Sequence, residues 1–185
     1  MTVFENKGTE NSAAALQMAV SEAKKLGAPL LVATTTGATA VQAVEMAKEN
    51  GIINQLIIVS HAYGTRVKGE NNMKPENRRA LDESGVKIIT AAHVLSGAER
   101  AMSTKFSGVY PVEIIAHTLR MLSQGVKVAV EMGAMAVDCG AVEYGKPVVA
   151  VGGTGRGADT VTVLTPEYTQ DIFGTKIHEI ICKPY

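Results

Sequence analysis

The sequence predicts a three-layer α/β/α domain with a mostly parallel sheet, and three observations lead to this fold class. Apolar runs typical of strands covered on both faces alternate with segments of helical periodicity. Alternation of this kind is typical of βαβ units, in which helices join parallel strands. The chain has 185 residues, of which 46% are apolar and 19% charged, which suits one domain with a large core. We therefore expect residues 1–185 to form a single α/β domain.

The first half of the chain alternates between helical patterns and apolar runs. Residues 10–26 have apolar side chains at helical spacing, lysines in the last turn, and Gly27 as a stop. Pro75 and Gly85 bound a shorter helix in a similar way. In chain order, the predicted elements are helix 10–26, strand 28–35, helix 38–50, strand 55–60, loop 61–73, helix 75–85 and strand 86–92.

The second half contains a long apolar helix and a β-rich end. The segment 126–142 is apolar nearly all round, which predicts a helix buried between layers or between subunits. Because such a helix needs cover on both sides, we expect a homo-oligomer. The β-branched segments 159–165 and 175–183 predict strands that pair as an antiparallel edge. The remaining predicted elements are a helical turn at 96–103, a loop at 103–110, helix 111–122 and strand 146–153.

Charge and composition argue against several classes of partner. Lys plus Arg and Asp plus Glu number 18 each, with no charged block, so neither nucleic acid nor an anionic membrane is an expected partner. The chain has no Trp to serve in a base-stacking platform. It shows no signal-peptide pattern at its start and no apolar run of the roughly 20 residues that span a bilayer. We expect a soluble cytoplasmic protein.

The two cysteines, Cys139 and Cys182, lie far apart and outside any metal-ligand spacing. We expect both to be buried, reduced thiols, with a disulfide as the less favoured alternative. No other group of side chains has the spacing of a metal site, so no metal is expected. Nor does the sequence assign a Ser-His-Asp or Cys-His arrangement.

Four loops rich in Gly, Ser, Thr or His follow the four predicted parallel strands. Because the carboxyl ends of parallel strands lie at one edge of the sheet, these loops are expected to gather where open α/β sheets bind ligands. The loops at the opposite edge are ordinary polar turns. The four polar loops are 34–40, 60–65, 90–97 and 152–160.

The loop after the first strand, TTTGATA, leads directly into a helix that is predicted to begin at about Ala38. The free N–H groups of a helix N-terminus, the flexibility of Gly37 and several threonine hydroxyls together suit an anion, most naturally phosphate. The alternative is that one threonine caps the helix while the others reflect β propensity. The residues alone leave both interpretations open.

The loop after the fourth strand, GGTGRGADT, is rich in glycine. Residues 153–158 fit the dinucleotide fingerprint G-x-G-x-x-A, which has to open a helix. The β-rich DTVTVLT follows instead, so a dinucleotide site is not expected. We expect the loop to wrap an anion with Arg156 as the charge partner. The alternative, a tight turn between strands, needs one or two glycines rather than four.

His61 and His93 each come just after a predicted strand, at the same edge. Either can be a ligand contact or a general acid–base, since an unperturbed imidazole titrates near pH ~6.5, and the alternative is a histidine satisfied by loop backbone. Ser96, Gly97 and Arg100 open a helical turn at this edge, with Arg100 as a candidate second charge or a solvated surface arginine. Side chains interpreted as structural or as charges in a first helical turn are His117, His178, Glu113 and Glu131.

These motifs resemble the carboxy-terminal α/β domain of pyruvate kinase. The resemblance lies in TTTGATA followed by AVQAVEMAKE, and in KVAVEMGAMAVDCGAVEYGKPVVAVGGTGRGADTVTVL. In that family the first loop has the form Thr/Ser-x-Thr/Ser-Gly-x-Thr/Ser and holds a phosphate of the sugar-bisphosphate activator, and a glycine-rich second loop closes over the same ligand. The resemblance implies a phosphate at residues 34–39, with residues 152–160 as the second loop.

The sequence departs from that family in three respects. It holds no counterpart of the catalytic barrel, so we expect no pyruvate kinase activity. Val151 and Gly152 stand where the second loop usually has Trp and a basic residue, which disfavours a sugar bisphosphate. Residues 61–125 are longer than the corresponding stretch. The chain is also similar to small free-standing archaeal-type members of the family, for which flavin mononucleotide (FMN) is one candidate ligand.

We expect the protein to bind a phosphorylated small molecule at this edge of the sheet, as a sensor or regulatory module. FMN or a sugar or nucleotide phosphate would suit the pattern. The alternative is a small enzyme that is flavin-dependent or acts on a phosphorylated metabolite, with His61 or His93 as acid–base. The predicted site residues are Thr34, Thr35, Thr36, Gly37, Thr39, His61, Tyr63, Gly64, His93, Ser96, Gly97, Arg100, Gly153, Thr154, Gly155, Arg156, Gly157 and Thr160.

Overall fold

Seven strands and six α-helices make up the computed structural model, which describes residues 1–185. The strands are β1 (Thr2–Phe4), β2 (Leu30–Thr34), β3 (Leu56–His61), β4 (Lys87–Ala91), β5 (Val148–Gly152), β6 (Thr160–Thr165) and β7 (Lys176–Pro184). The helices are α1 (Ser12–Leu26), α2 (Ala38–Glu49), α3 (Pro75–Ser84), α4 (Gly97–Phe106), α5 (Pro111–Arg120) and α6 (Gln124–Asp138). Short 3₁₀ helices cover Thr9–Asn11, Ile53–Gln55 and Thr169–Gly174.

All seven strands form one sheet, in the order β1-β7-β6-β5-β2-β3-β4. Strand β6 runs antiparallel to both of its neighbours, and the other pairs are parallel. The predicted fold class is therefore confirmed, including the antiparallel pairing near the C-terminus. Strand β1 was not predicted, because three residues are too few to show a period; it adds to the outer side of β7.

Each face of the sheet is covered by helices. Along β2, Leu30 and Val32 face a core that contains the apolar faces of α1 and α2, while Leu31 faces a second core built on α6. This alternation follows from the two-residue period of a strand, and burial on both faces explains the continuous apolar runs in the sequence. The molecule thus has the predicted three layers.

The apolar helix α6 lies inside the single chain. It packs on β5 and β6 on one side and against α5 on another, so residues 129–137 are all buried without a second subunit. Its composition therefore does not require an oligomer. The helix ends at Asp138, earlier than expected, because Gly140 adopts a left-handed conformation (φ 67°) in which the chain turns away.

Most other predicted elements begin and end within two residues of the observed bounds. The exception is α4, which was expected as a helical turn followed by a loop at 103–110 but continues to Phe106. It stops where Ser107 and Gly108 both have positive φ. Cys139 and Cys182 form no disulfide, and Cys139 is exposed at the end of α6 rather than buried as expected.

No helix in the structure combines the length and the apolar character needed to cross a membrane.

Candidate functional site

A cavity of about 870 Å³ opens at the edge of the sheet where β2, β3, β4 and β5 end. Its size is within the range of small-molecule sites. All four predicted loops contribute to its wall, as the topology of a parallel sheet requires. The predicted site residues that line it are Thr34, Thr35, Thr36, Thr39, His61, His93, Ser96, Arg100, Gly153, Gly155, Arg156 and Gly157.

The threonine loop, residues 34–39, is held in one conformation by its neighbours. The Thr34 hydroxyl accepts a hydrogen bond from the Gly37 N–H (3.0 Å), and the Asn77 side chain of α3 donates to the Thr36 carbonyl (2.8 Å). Gly37 has a φ of 92°, and a Cβ there would lie 2.5 Å from the Cβ of Asn77, so only glycine fits. The alternative of a threonine N-cap on α2 is not observed, because Gly37 is the N-cap residue and it has no side chain to cap the first turn of the helix.

The glycine loop, residues 152–160, is fixed at its base by buried polar groups. The Asp159 carboxylate accepts hydrogen bonds from the backbone N–H groups of Thr154 (3.0 Å) and Gly8 (3.3 Å), and the Ser12 hydroxyl accepts one from Ala158 N–H (2.9 Å). A Cβ at Gly157 would lie 2.6 Å from Thr9 Cα. Close packing therefore accounts for some of the glycines, contrary to our expectation that ligand binding would be needed to explain four of them.

His61 and His93 lie next to each other in the cavity wall. Their ring centroids are 4.5 Å apart with a tilt of 57°, and His61 Nε2 is 3.0 Å from the hydroxyl of Thr35. Burial lowers the pKa of His61, and the nearby His93 lowers it further. Burial also lowers the pKa of His93, while Glu131 opposes that shift. The pair therefore joins the threonine loop to α6 through two imidazoles that favour the neutral form.

A buried ion pair, Lys127 with Glu131, lines the cavity next to His93. Lys127 Nζ donates to Glu131 Oε2 (2.6 Å), and the other carboxylate oxygen, Oε1, accepts from Leu95 N–H (3.0 Å). His93 Nδ1 lies 3.9 Å from Oε2. Burial lowers the pKa of Lys127, with Glu131 acting in the opposite direction.

Sequence reasoning missed this ion pair. Glu131 was interpreted as a first-turn charge, but it lies in the middle of α6 with its side chain 3% exposed. The available signal was the spacing: Lys127 and Glu131 are four residues apart in a segment that is otherwise apolar, and such a pair shares one helix face.

Helix α5 contributes a wall that was also not expected. Glu113, Ala116, His117 and Arg120 line the cavity at helical spacing. His117 was interpreted as structural, so its place in the wall is a correction. Glu113, by contrast, does lie in the first turn of its helix, as expected.

Arginines give the cavity a positive character. Those in its wall are Arg66, Arg100, Arg120 and Arg156. None of the four forms an ion pair with a carboxylate, and the only carboxylates in the wall are Glu113 and Glu131. In a chain with no net charge, this concentration of unpaired guanidinium groups favours an anionic ligand.

Some predicted residues lie outside the wall. The set is Gly37, Tyr63, Gly64, Gly97, Thr154 and Thr160. Tyr63 is exposed on the loop after β3, and Thr160 is fully buried with its hydroxyl bonded to Asp159 (2.9 Å). Gly37 and Thr154 shape the two loops through their backbone instead. His178, interpreted as structural, bonds to Thr165 on the far strands, outside the cavity wall.

No group of three or more His, Cys, Asp or Glu side chains in the structure is arranged to hold a metal ion.

The architecture is that of an α/β domain with a cavity at the carboxyl edge of its sheet, lined by the two loops. The family model for the pyruvate kinase alpha/beta domain matches residues 13–164, which includes the stretch 61–125. The chain therefore belongs to the pyruvate kinase alpha/beta domain family.

One solved structure illustrates how far the likeness to other folds extends. The crystal structure of NAD+ synthetase from Burkholderia pseudomallei is 17% identical, with a TM-score of 0.38 over 78% of this chain. The match covers 61% of that chain, less than two thirds of its length. A likeness this weak says nothing about function.

Proposed function

We propose that the protein binds a phosphorylated small molecule in this cavity, as a sensor or regulatory module, with the phosphate at the threonine loop. The observation that carries the proposal is the N-terminus of α2. It begins at the cavity wall with no side chain bonded to its first turn, so its N–H groups and partial positive charge are free for an anion.

The surrounding groups suit a phosphomonoester. The side chains of Thr35 and Thr39 line the same part of the wall and can donate hydroxyl hydrogen bonds. Arg156, on the glycine loop, contributes a charge without a carboxylate partner. Membership of the pyruvate kinase alpha/beta domain family adds support, because the threonine loop matches that family's phosphate-binding pattern.

The rest of the ligand would extend across the strand ends. There the wall combines the histidine pair with apolar side chains of α6, among them Val128, Met132 and Met135. FMN and a sugar or nucleotide phosphate remain candidates, since each combines a phosphate with a larger polar or aromatic part. A soluble metabolite of this kind also fits a cytoplasmic location.

The first experiment is a visible absorption spectrum of the purified protein, followed by mass spectrometry of whatever denaturation releases. Flavin absorption with released FMN would identify the ligand, and a colourless protein that releases a sugar or nucleotide phosphate would favour a metabolite sensor. If nothing is released and no phosphate compound raises the melting temperature, the proposal is wrong.

Substitutions in the threonine loop test whether the phosphate binds there. We expect Thr39→Val to weaken binding of the released compound about tenfold, the loss of one charge-assisted hydrogen bond. Thr104→Val is the matched control, because Thr104 is exposed on α4 outside the cavity. Equal affinity in the two variants would place the phosphate elsewhere.

The second candidate function is catalysis in the same cavity, with His61 or His93 as acid–base. The observation that favours it is the contact of His61 with Thr35, which brings an imidazole of lowered pKa to the border of the phosphate position. Turnover of the released compound, lost in His61→Gln while binding remains, would establish an enzyme. If the ligand stays chemically unchanged after prolonged incubation, catalysis is contradicted and the sensor function stands.

A further inference from the structure

The cavity extends from one helical layer of the molecule to the other. The threonine loop leads into α2, whose apolar face packs on the side of the sheet that Leu30 and Val32 face. The helix that carries Lys127 and Glu131 packs on the opposite side, which Leu31 faces. The ends of β3 and β4 lie between, where His61 contacts Thr35 on one side and His93 approaches Glu131 on the other. A ligand that fills the cavity therefore has two ends in different layers.

The end of the cavity on the α6 side has its own excess of positive charge. Arg100 of α4, Arg120 of α5 and Lys127 of α6 all line it. Besides burial, the charges of Arg120 and Arg100 lower the pKa of Lys127, which fits the position of all three cations in one wall. The carboxylates of this wall do not neutralise the arginines, because Glu131 is engaged with Lys127 and Glu113 forms no ion pair.

Lys127 in particular is left short of partners. Its side chain is 6% exposed, and Glu131 provides its single hydrogen bond. An ammonium group has three donors, so two remain for a group inside the cavity. A buried cation with free donors is costly unless something anionic or polar occupies the space in front of it.

We propose that the ligand carries a second anionic group, a phosphate or a carboxylate, which binds Arg100, Arg120 and Lys127 while its phosphomonoester binds the threonine loop. This inference rests on the proposed function and narrows it to a metabolite with anionic groups at both ends. The second group binds to α4, α5 and α6, not to the glycine loop. The middle part of the ligand then lies against His61 and His93.

The test uses probes that do not depend on the identity of the metabolite. Linear alkanes from propane to octane, carrying phosphate at one end or at both ends, are titrated into the full-length protein by calorimetry. We expect the bisphosphate of the best length to bind at least about tenfold more tightly than the monophosphate of that length. We expect Arg100→Gln and Arg120→Gln each to remove most of that gain while changing monophosphate affinity less than about threefold.

Two control variants distinguish a failure of this inference from a failure of the proposed function. Arg79→Gln removes an exposed charge on α3 outside the cavity and should leave the gain intact. Thr39→Val should weaken both series. Melting curves confirm that each variant is folded.

Each outcome has a defined meaning. Monophosphates that bind in a Thr39-dependent way, with no gain from a second phosphate at any length, would overturn this inference and leave the proposed function standing; so would release of FMN from the purified protein, since it has one phosphate. A gain that survives both arginine variants would also overturn it. Binding unaffected by Thr39→Val, or no binding of either series, would overturn the proposed function as well.

Discussion

Glu131 connects two separate parts of the chain: its carboxylate accepts hydrogen bonds from the Lys127 ammonium and the Leu95 backbone N–H, and its Oε2 lies 3.9 Å from Nδ1 of His93. In Glu131→Gln, Lys127 stays buried without a counterion. Removing one member of a buried pair typically costs about 3–5 kcal/mol, so we expect a loss of that size in the free energy of unfolding, measured by urea denaturation.

Two further variants make this result interpretable. Glu83→Gln, an exposed change on α3, should stay within about 0.5 kcal/mol of the parent protein. Replacing both partners by Met and Leu should restore most of the stability, because no buried charge is then left unpaired. If Glu131→Gln behaves like Glu83→Gln, the ion pair does not stabilise the fold.

The histidine pair predicts a pH dependence of stability. Burial lowers the pKa of both His61 and His93 from the ordinary value of 6.5, so in this region the folded state binds fewer protons than the unfolded state. The stabilisation is present above pH 6.5 and is lost as the pH falls from that value through the lower pKa of the folded state. We expect the urea midpoint to drop between about pH 7 and pH 5, and to drop less in a double Gln variant of the two histidines. An equal drop in both proteins would contradict this assignment.

Among the elements, the junction of β2 and α2 depends most on one residue. Gly37→Ala introduces a Cβ that lies 2.5 Å from the Cβ of Asn77, at a φ of 92°. Left-handed backbone alone costs an alanine roughly 1–2 kcal/mol. We expect a larger total loss of unfolding free energy, because α3 has to move, and a loss of phosphate affinity, because the loop changes shape.

Gly27 provides the matched control. It ends α1 with a φ of 62° and has open space around its Cβ position, outside the cavity wall. Gly27→Ala should show the backbone cost alone and keep the affinity of the parent protein for its phosphate ligand. Equal stability losses in the two variants would mean that contact with Asn77 adds nothing.

How much of the site could be predicted also depends on the element concerned. The four loops were found because their place follows from topology: each comes after a parallel strand. The wall formed by α5 and α6 follows from side-chain packing in three dimensions, which one sequence does not fix. Lys127 and Glu131 lie in an apolar helix where burial decides their role, and sequence reasoning could assign them only by local charge rules.

The threonine loop and the glycine loop show the same difference between what the local sequence indicates and what tertiary packing decides. Gly37 was expected to help the loop approach an anion through its flexibility, but the steric constraint on it comes from Asn77, forty positions along the chain. The glycines of the second loop were attributed to a ligand, and close contact with the segment before α1 accounts for Gly157. The local sequence indicates that a backbone position requires glycine. The neighbouring residue that imposes this requirement is known only from the tertiary structure.

At the scale of the whole molecule, we still predict a homo-oligomer, although for a different reason than the apolar helix α6. Four large apolar side chains on α4, α5 and the segments that flank them are more than half exposed: Phe106, Val109, Ile114 and Met121. Exposed apolar surface of this kind is typical of interfaces. Light scattering at micromolar concentration should give a multiple of 19.5 kDa.

A double charge variant tests whether this surface is the interface. Ile114→Lys with Met121→Lys should reduce the mass to that of one chain while leaving the melting curve cooperative. A parent protein that is already monomeric would refute the oligomer, and an oligomer that survives both lysines would place the interface elsewhere.

The glycine loop joins two antiparallel strands, so it is the tip of a hairpin rather than the start of a helix. Its root is anchored by Asp159 and Ser12, while at the tip a Cβ added to Gly155 would meet open space and Arg156 N–H bonds only to the Thr154 carbonyl. Moving the tip breaks one backbone hydrogen bond and leaves every strand paired. Under the proposed function, the tip can therefore open for a metabolite on the nanosecond-to-microsecond timescale of loop motions while the strands stay paired. Opening of the loop would then not delay the response of the site to a change in metabolite concentration.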